Sequence, residues 1–154
     1  MTSGLTSCSP PAGDGRAVLL DTNVLSSRLA PRSPLPALYD RYVVGRRIAV
    51  AAQTVAEIRY GALVAGWGER RLAQIERLVH RSLVLPPDDE TVWSFARVRA
   101  DARRAGHPRH QKEHVGDLWI AATAICWELP LVAHDAVFVG CPGLDLITEL
   151  HTVD

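Results

Sequence analysis

Four acids stand where an α/β fold could gather them. Asp21 directly follows a short apolar run, Ala17-Val18-Leu19-Leu20, and Asp135 closely follows another, Leu131-Val132-Ala133. Glu57 lies at the start of a helical stretch after a third run, Ile48 to Ala51, and Asp117 opens an apolar stretch reaching Glu128. Separations of 36, 60 and 18 positions mean that only the fold can bring them together. Carboxylates held close repel one another and lose hydration, and a divalent cation removes both penalties. Oxygen-only ligands favour Mg²⁺ or Mn²⁺, and Mg²⁺ commonly keeps waters that substrate phosphates replace. Such a site acidifies a bound water, aligns it with phosphorus and stabilises the leaving oxygen. The chemistry these residues suit is phosphodiester hydrolysis without a protein nucleophile.

Each acid also has a structural reading. Thr54-x-x-Glu57 matches a capping box, in which Glu57 only satisfies backbone N–H groups. Asp117 could be an N-cap and Asp135 a turn residue. Asp21 has fewer alternatives, because a buried strand rarely ends in an acid with nothing to bind. The four acids carry weight together.

The elements needed to position the set are legible in the hydrophobic pattern. Short runs apolar on both faces suit central parallel strands: residues 17–20, 48–51, 83–85, 131–133 and 144–147. Between them lie helical stretches. These run from Thr22 to Leu29, Pro34 to Val44, Thr54 onward, Glu69 to Ser82, Glu90 to Ala105 and Asp117 to about Glu128. Val55, Ile58, Ala62 and Leu63 mark the inner side of the third helix, and Val92, Phe95, Ala96 and Arg99 that of the fifth. Alternating strands and helices give an α/β/α sandwich around a mainly parallel sheet of four to five strands. In a parallel sheet all strands end at one edge, where α/β proteins bind ligands, and helices that follow strands begin there. Residues 1–15, rich in Ser, Gly and Pro, read as a flexible tail, with one domain over 16–150.

Composition narrows the classes. Hydrophobic residues make up 47% and charged residues 22%, which excludes a wholly disordered chain. Seventeen basic and seventeen acidic residues sum to no net charge, so no global field recruits nucleic acid. Local charge is different. Arg97 to His114 holds Arg97, Arg99, Arg103, Arg104, Arg109 and Lys112 against Asp101 and Glu113, a net of 6 − 2 = +4, and leads straight to Asp117. Arg103, Arg104, Arg109 and Lys112 are the candidates for following an RNA backbone into the site, against the alternative of a solvated face. Three cysteines without C-x-x-C spacing suggest neither a disulfide framework nor a zinc site. No H-x-x-x-H pair falls on one helix. With no apolar run of membrane-spanning length and no signal-peptide pattern, the expected location is the cytoplasm. Trp93, Trp119 and Trp127 read as core or dimer interface, and Trp67, between glycines, as an exposed contact for a partner. Asp88-Asp89-Glu90 reads as a helix start without function.

Leu20-Asp21-Thr22-Asn23-Val24-Leu25 resembles the opening motif of PIN domains, above all of VapC toxins. Glu57-Ile58-Arg59-Tyr60-Gly61, Asp117-Leu118-Trp119-Ile120-Ala121-Ala122-Thr123-Ala124 and Leu131-Val132-Ala133-His134-Asp135-Ala136-Val137-Phe138 are similar to the motifs that follow in that family. The resemblance covers roughly residues 17 to 147. It implies a ribonuclease dependent on Mg²⁺ or Mn²⁺, with Asp21, Glu57, Asp117 and Asp135 as catalytic and metal-holding acids and Thr22 and Asn23 as polar support. It also implies a homodimer and a cognate VapB-type antitoxin. One departure stands out: Ala133 occupies a place where the family usually carries Thr or Ser.

Two other classes compete. A non-catalytic module would use the same groove to bind RNA or a protein partner. A phosphotransfer fold would carry its own acid after the first strand, but dehalogenase-like phosphatases need D-x-D where this chain has Asn23. Receiver domains need a lysine near a late strand, whereas Lys112 precedes a helix.

Overall fold

Every strand of the sheet runs parallel to its neighbours. The computed structural model describes residues 17–150, apart from the side chain of Arg109. The expected tail, residues 1–15, lies outside the described residues. The strands are β1 (Ala17–Leu20), β2 (Arg47–Ala51), β3 (Leu83–Leu85), β4 (Leu131–Val132) and β5 (Leu146–Ile147), in the order β3-β2-β1-β4-β5. Parallel pairing aligns Leu19 with both Ala49 and Leu131. The order reverses at β1: the chain goes to one side for β2 and β3, then returns to the other for β4. Such a switch point opens a crevice at the strands' C-terminal ends. Asp21 lies there, its N–H bonded to the Val132 carbonyl at 3.0 Å.

Side-chain alternation along the strands splits the core in two. On one face Val18, Leu20, Val50 and Val132 pack under four helices: α1 (Thr22–Ser26), α2 (Leu35–Val43), α3 (Ala52–Val64) and α4 (Glu69–His80). On the other, Leu19, Ala49, Ala51, Leu131 and Ala133 pack under α5 (Asp89–Arg104) and α6 (Val115–Cys126). This is the expected α/β/α sandwich, with five strands.

Several local expectations change. Helix α3 begins at Ala52 with Ala51 as its N-cap, so Thr54 is inside the helix and no capping box forms. Leu63, expected on its inner side, is exposed. Helix α6 begins at Val115, two residues before Asp117, after 3-10 turns over Pro108–His110 and Lys112–His114. Of the described cysteines, Cys141 is a buried free thiol but Cys126 is disulfide-bonded, unlike the unbridged set that spacing suggests. The acidic start of α5 is a true cap: Asp88 accepts from the Thr91 N–H at 2.9 Å while Thr91 receives the Asp88 N–H.

The inner face of α5 is not the stripe that apolarity suggests. Thr91, Ser94, Val98 and Ala102 are buried, whereas Val92 and Trp93 are exposed. Small residues face inward because α6 presents Ala121, Ala122 and Ala124, and the two helices approach closely enough for the Ser94 hydroxyl to donate to the Ala122 carbonyl at 3.0 Å. The same truncation at two valines therefore has different consequences. Val98→Ala is expected to lower stability by about 1–3 kcal/mol and Val92→Ala by less than about 0.5 kcal/mol, measured by denaturant unfolding.

Candidate active site

Asp21 is the centre of the site and is almost fully buried, with 2% of its surface exposed. Its extended backbone ends β1, and its Oδ1 accepts the Val24 N–H at 2.7 Å, capping α1. Burial raises its pKa to about 7; backbone N–H groups of Val24 and His134 oppose the rise, and the charges of Asp135 and Asp117 add to it. Those two acids therefore stand near enough to press on Asp21. Asp117 is in the first turn of α6, with His114 Nδ1 3.6 Å from its Oδ2. Asp135 follows β4, where its Oδ1 accepts the Val137 N–H at 3.0 Å and caps a 3-10 turn.

Glu57 reaches the same place from α3. It lies in the second turn of the helix, not the first, and its Oε2 accepts a short hydrogen bond from the Thr22 hydroxyl. Its Oε1 accepts from Gln53 Nε2 at 3.1 Å. That oxygen lies against Gly116, where a Cβ would come within 2.6 Å of it. Glu57 thus touches both the residue after Asp21 and the residue before Asp117. The four acids share one rim.

Thr22 is the link between two of them, while Asn23 is exposed on α1. The capping-box alternative for Glu57 is set aside, since Thr54 is buried with its hydroxyl 3.5 Å from that of Thr22. Asp21 and Asp135 do cap short helical turns, so in them the structural and chemical readings coexist.

Sequence reasoning missed Gln53, Gly116 and Tyr39. Gly116 carried a signal, a small residue directly before an acid. Tyr39 carried none. It is buried on α2, and its hydroxyl bonds the Ala133 carbonyl at 3.1 Å and His134 Nδ1 at 2.7 Å, while accepting the Glu149 N–H at 2.9 Å. It anchors the segment between β4 and Asp135, where Ala133 itself offers no side-chain hydroxyl.

The basic cluster divides. Arg103 and Lys112 line a groove of about 830 Å³ between α5 and the 3-10 turns, together with Arg99 and Arg104. Arg104 also pairs with Asp101 at the surface. Arg109's side chain lies outside what is described. His110 and His114 sit in separate 3-10 turns. Trp67, expected to be exposed, is half-buried against the core, with the Arg71 guanidinium 4.0 Å from its ring centre. Trp119 is half-buried and stacks on Phe95, their centroids 4.0 Å apart.

The donor set suits a hard cation, because it consists of carboxylates alone and Asp21 is buried with the charges of Asp135 and Asp117 acting on it. Among the described residues no three His, Cys, Asp or Glu side chains form a ready-made ligand group. A cation here would draw on acids spread around the rim and retain water, as Mg²⁺ commonly does.

The raised Asp21 pKa has a stability consequence in metal-free protein. The unfolded chain releases this proton near pH 3.8, the folded chain only near 7. The native state therefore binds more protons between those values, and stability falls as pH rises across that window. The loss reaches at most about 4 kcal/mol. With a chelator present, Asp21→Asn is expected to melt higher than the parent chain at pH 8 and at a similar temperature at pH 4. Parallel melting profiles for the two proteins would refute the assignment.

Comparison with known proteins agrees with this fold. The PIN domain family profile matches residues 18–140. Ribonuclease VapC5 of Mycobacterium tuberculosis is 31% identical over 140 residues, covering 89% of this chain and 93% of that protein. The structure of VapBC-5 from Mycobacterium tuberculosis, of the VapBC family of toxin–antitoxin systems, superposes with a TM-score of 0.61 at 28% identity, covering 86% of this chain and 97% of that one. VapBC2 from Rickettsia felis, bound to a promoter DNA fragment, shares the fold with a TM-score of 0.72 at 19% identity, covering 86% and 98%. With its acids on one rim at the switch point of a parallel sheet, the chain belongs to the PIN-domain family, on the branch that holds the VapC ribonucleases.

Proposed function

We propose that this chain is a metal-dependent endoribonuclease and the toxin of a VapBC-type toxin–antitoxin pair. The observation that carries the reading is the buried carboxylate of Asp21 at the end of the central strand, with Glu57 hydrogen-bonded to the next residue, Thr22, and lying against Gly116 beside Asp117. The 31% identity to a VapC ribonuclease over nearly the whole chain supports the substrate class. Asp21, Glu57, Asp117 and Asp135 would hold the cation. When bound, Mg²⁺ or Mn²⁺ supplies positive charge for the phosphate and acidity for water.

The chain's own groups set the geometry. The Val24 and Val137 N–H groups fix one oxygen each of Asp21 and Asp135. Thr22 and Gln53 hold the two oxygens of Glu57 from opposite sides. A carboxylate oxygen has lone pairs beyond the one such a bond uses, and these would serve the cation or a water bound to it. Glu57, the longest of the four side chains and held by side-chain donors, is suited to orient the attacking water. Arg103, Arg104 and Lys112 offer charge to RNA phosphates, and Arg109 belongs to the same stretch of sequence.

An antitoxin partner and a second copy of the chain both need apolar surface. Tyr60, Leu63 and Val64 on α3 and Val92 and Trp93 on α5 are exposed and available for such contacts. No helix among the described residues is long and apolar enough to cross a membrane.

Purified protein should cleave single-stranded RNA with Mg²⁺ or Mn²⁺, lose cleavage with EDTA and regain it when Mn²⁺ is restored. Asp21→Asn and Asp117→Asn should each lower kcat/KM by at least about a hundredfold without unfolding the chain. Metal-independent RNA binding with no cleavage would favour the non-catalytic module instead. Gly116→Ala should fold normally, since Glu57 can swing aside, yet lower kcat by about tenfold or more because that carboxylate leaves the rim.

A further inference from the structure

A cavity of about 260 Å³ lies between the start of α3, the middle of α6 and the end of β3. Its walls come from Ala52, Gln53, Leu85, Pro87, Trp119 and Thr123, and none of its lining residues is charged. We propose that this cavity is a nucleobase subsite, holding one unpaired base of the RNA next to the cleaved phosphate. The inference rests on the ribonuclease reading above and deepens it.

Three observations select that occupant. The first is continuity with the rim. Gln53 both lines the cavity and donates to Glu57 Oε1 at 3.1 Å, and its amide lies 3.2 Å from where a Cβ on Gly116 would stand. Trp119 and Thr123 follow Gly116 by three and seven positions, on the face of α6 that meets Glu57 and Gln53. A phosphate at the acids therefore has this cavity as its neighbour.

The second is wall chemistry. Uncharged walls offer a phosphate no positive charge to pair with, so the space suits a neutral ring and not the backbone. Trp119 is braced by stacking on Phe95, with 24° between the rings, which keeps the indole ordered before a base arrives. The Thr123 hydroxyl already donates to the Trp119 carbonyl at 2.8 Å. Gln53 is tied down through Nε2, and its carbonyl oxygen can accept from a base amino or imino N–H. Single-stranded RNA is commonly read this way, by a splayed base stacked on an aromatic group and hydrogen-bonded at its edge.

The third is size. The space admits a flat heterocycle and is too small for a docked helix. The exposed residues that a protein partner could cover, Tyr60, Leu63 and Val64, lie further along α3.

The test uses the full chain carrying Asp21→Asn, so that RNA is not cut, and a short single-stranded RNA with 2-aminopurine at successive positions. The proposal expects saturable quenching of the probe at one or two adjacent positions. Adding Ala56→Phe, which fills the cavity from its exposed wall, should abolish the quenching and weaken binding by about tenfold, the effect of losing one base–aromatic stack. Trp119→Leu serves as a second variant, and thermal melting confirms that each folds. RNA bound by anisotropy with no quenching at any position, or quenching unaffected by both variants, overturns the subsite and leaves the ribonuclease reading standing. Conversion of a dimer to a monomer by Ala56→Phe, seen by light scattering, assigns the cavity to a second copy and also overturns it. RNA neither bound by this protein nor cut by the parent chain overturns the ribonuclease reading, and the subsite with it.

Discussion

An ionisable carboxyl at the end of a fully buried strand is the constraint on which the site depends. Asp21 cannot be moved toward solvent, because β1 is the middle strand and its N–H is fixed to the Val132 carbonyl. Its charge is opposed by burial and by Asp117 and Asp135, and favoured only by backbone donors. A carboxyl so placed is either protonated or matched by positive charge, and the surrounding acids make the second solution the useful one. The reversal of strand order beside β1 supplies the crevice in which a cation would provide that match.

The same sheet explains why acids so distant in sequence meet. Each apolar strand is short, so each delivers its following residue to one edge. Asp21 and Asp135 arrive directly from strand ends, while Glu57 and Asp117 arrive on the first two turns of helices. Two of the four also cap a helical turn, which makes their rotamers part of the fold and not an adjustment made on binding. A site built on such elements is pre-organised.

Much of this was legible in the residues. Strands apolar on both faces gave away the parallel sheet, and an acid after the first of them gave away its edge. Phe95 does pack against the core, but Val92 and Ala96 misled, because α6 is alanine-rich and approaches closely, so the buried side of α5 runs through Ser94 and Ala102. Thr54 misled because a hydroxyl three places before a Glu looks like a cap wherever it occurs, and the local text does not say that the helix begins at Ala52. Tyr39 was invisible, since its hydroxyl meets His134 across a separation of 95 positions. Gln53 and Gly116 become meaningful only once Glu57 is seen between them.

Everything in the account turns on a divalent cation compensating the acids at the end of β1. Crystals of the chain equilibrated with millimolar Mn²⁺ and measured at the manganese edge give the most direct test. The account predicts an anomalous peak at the rim, with oxygens of Asp21 and at least one of Glu57, Asp117 and Asp135 about 2 Å away or joined through a water. Manganese bound only elsewhere, or a rim left empty at that concentration, would contradict it.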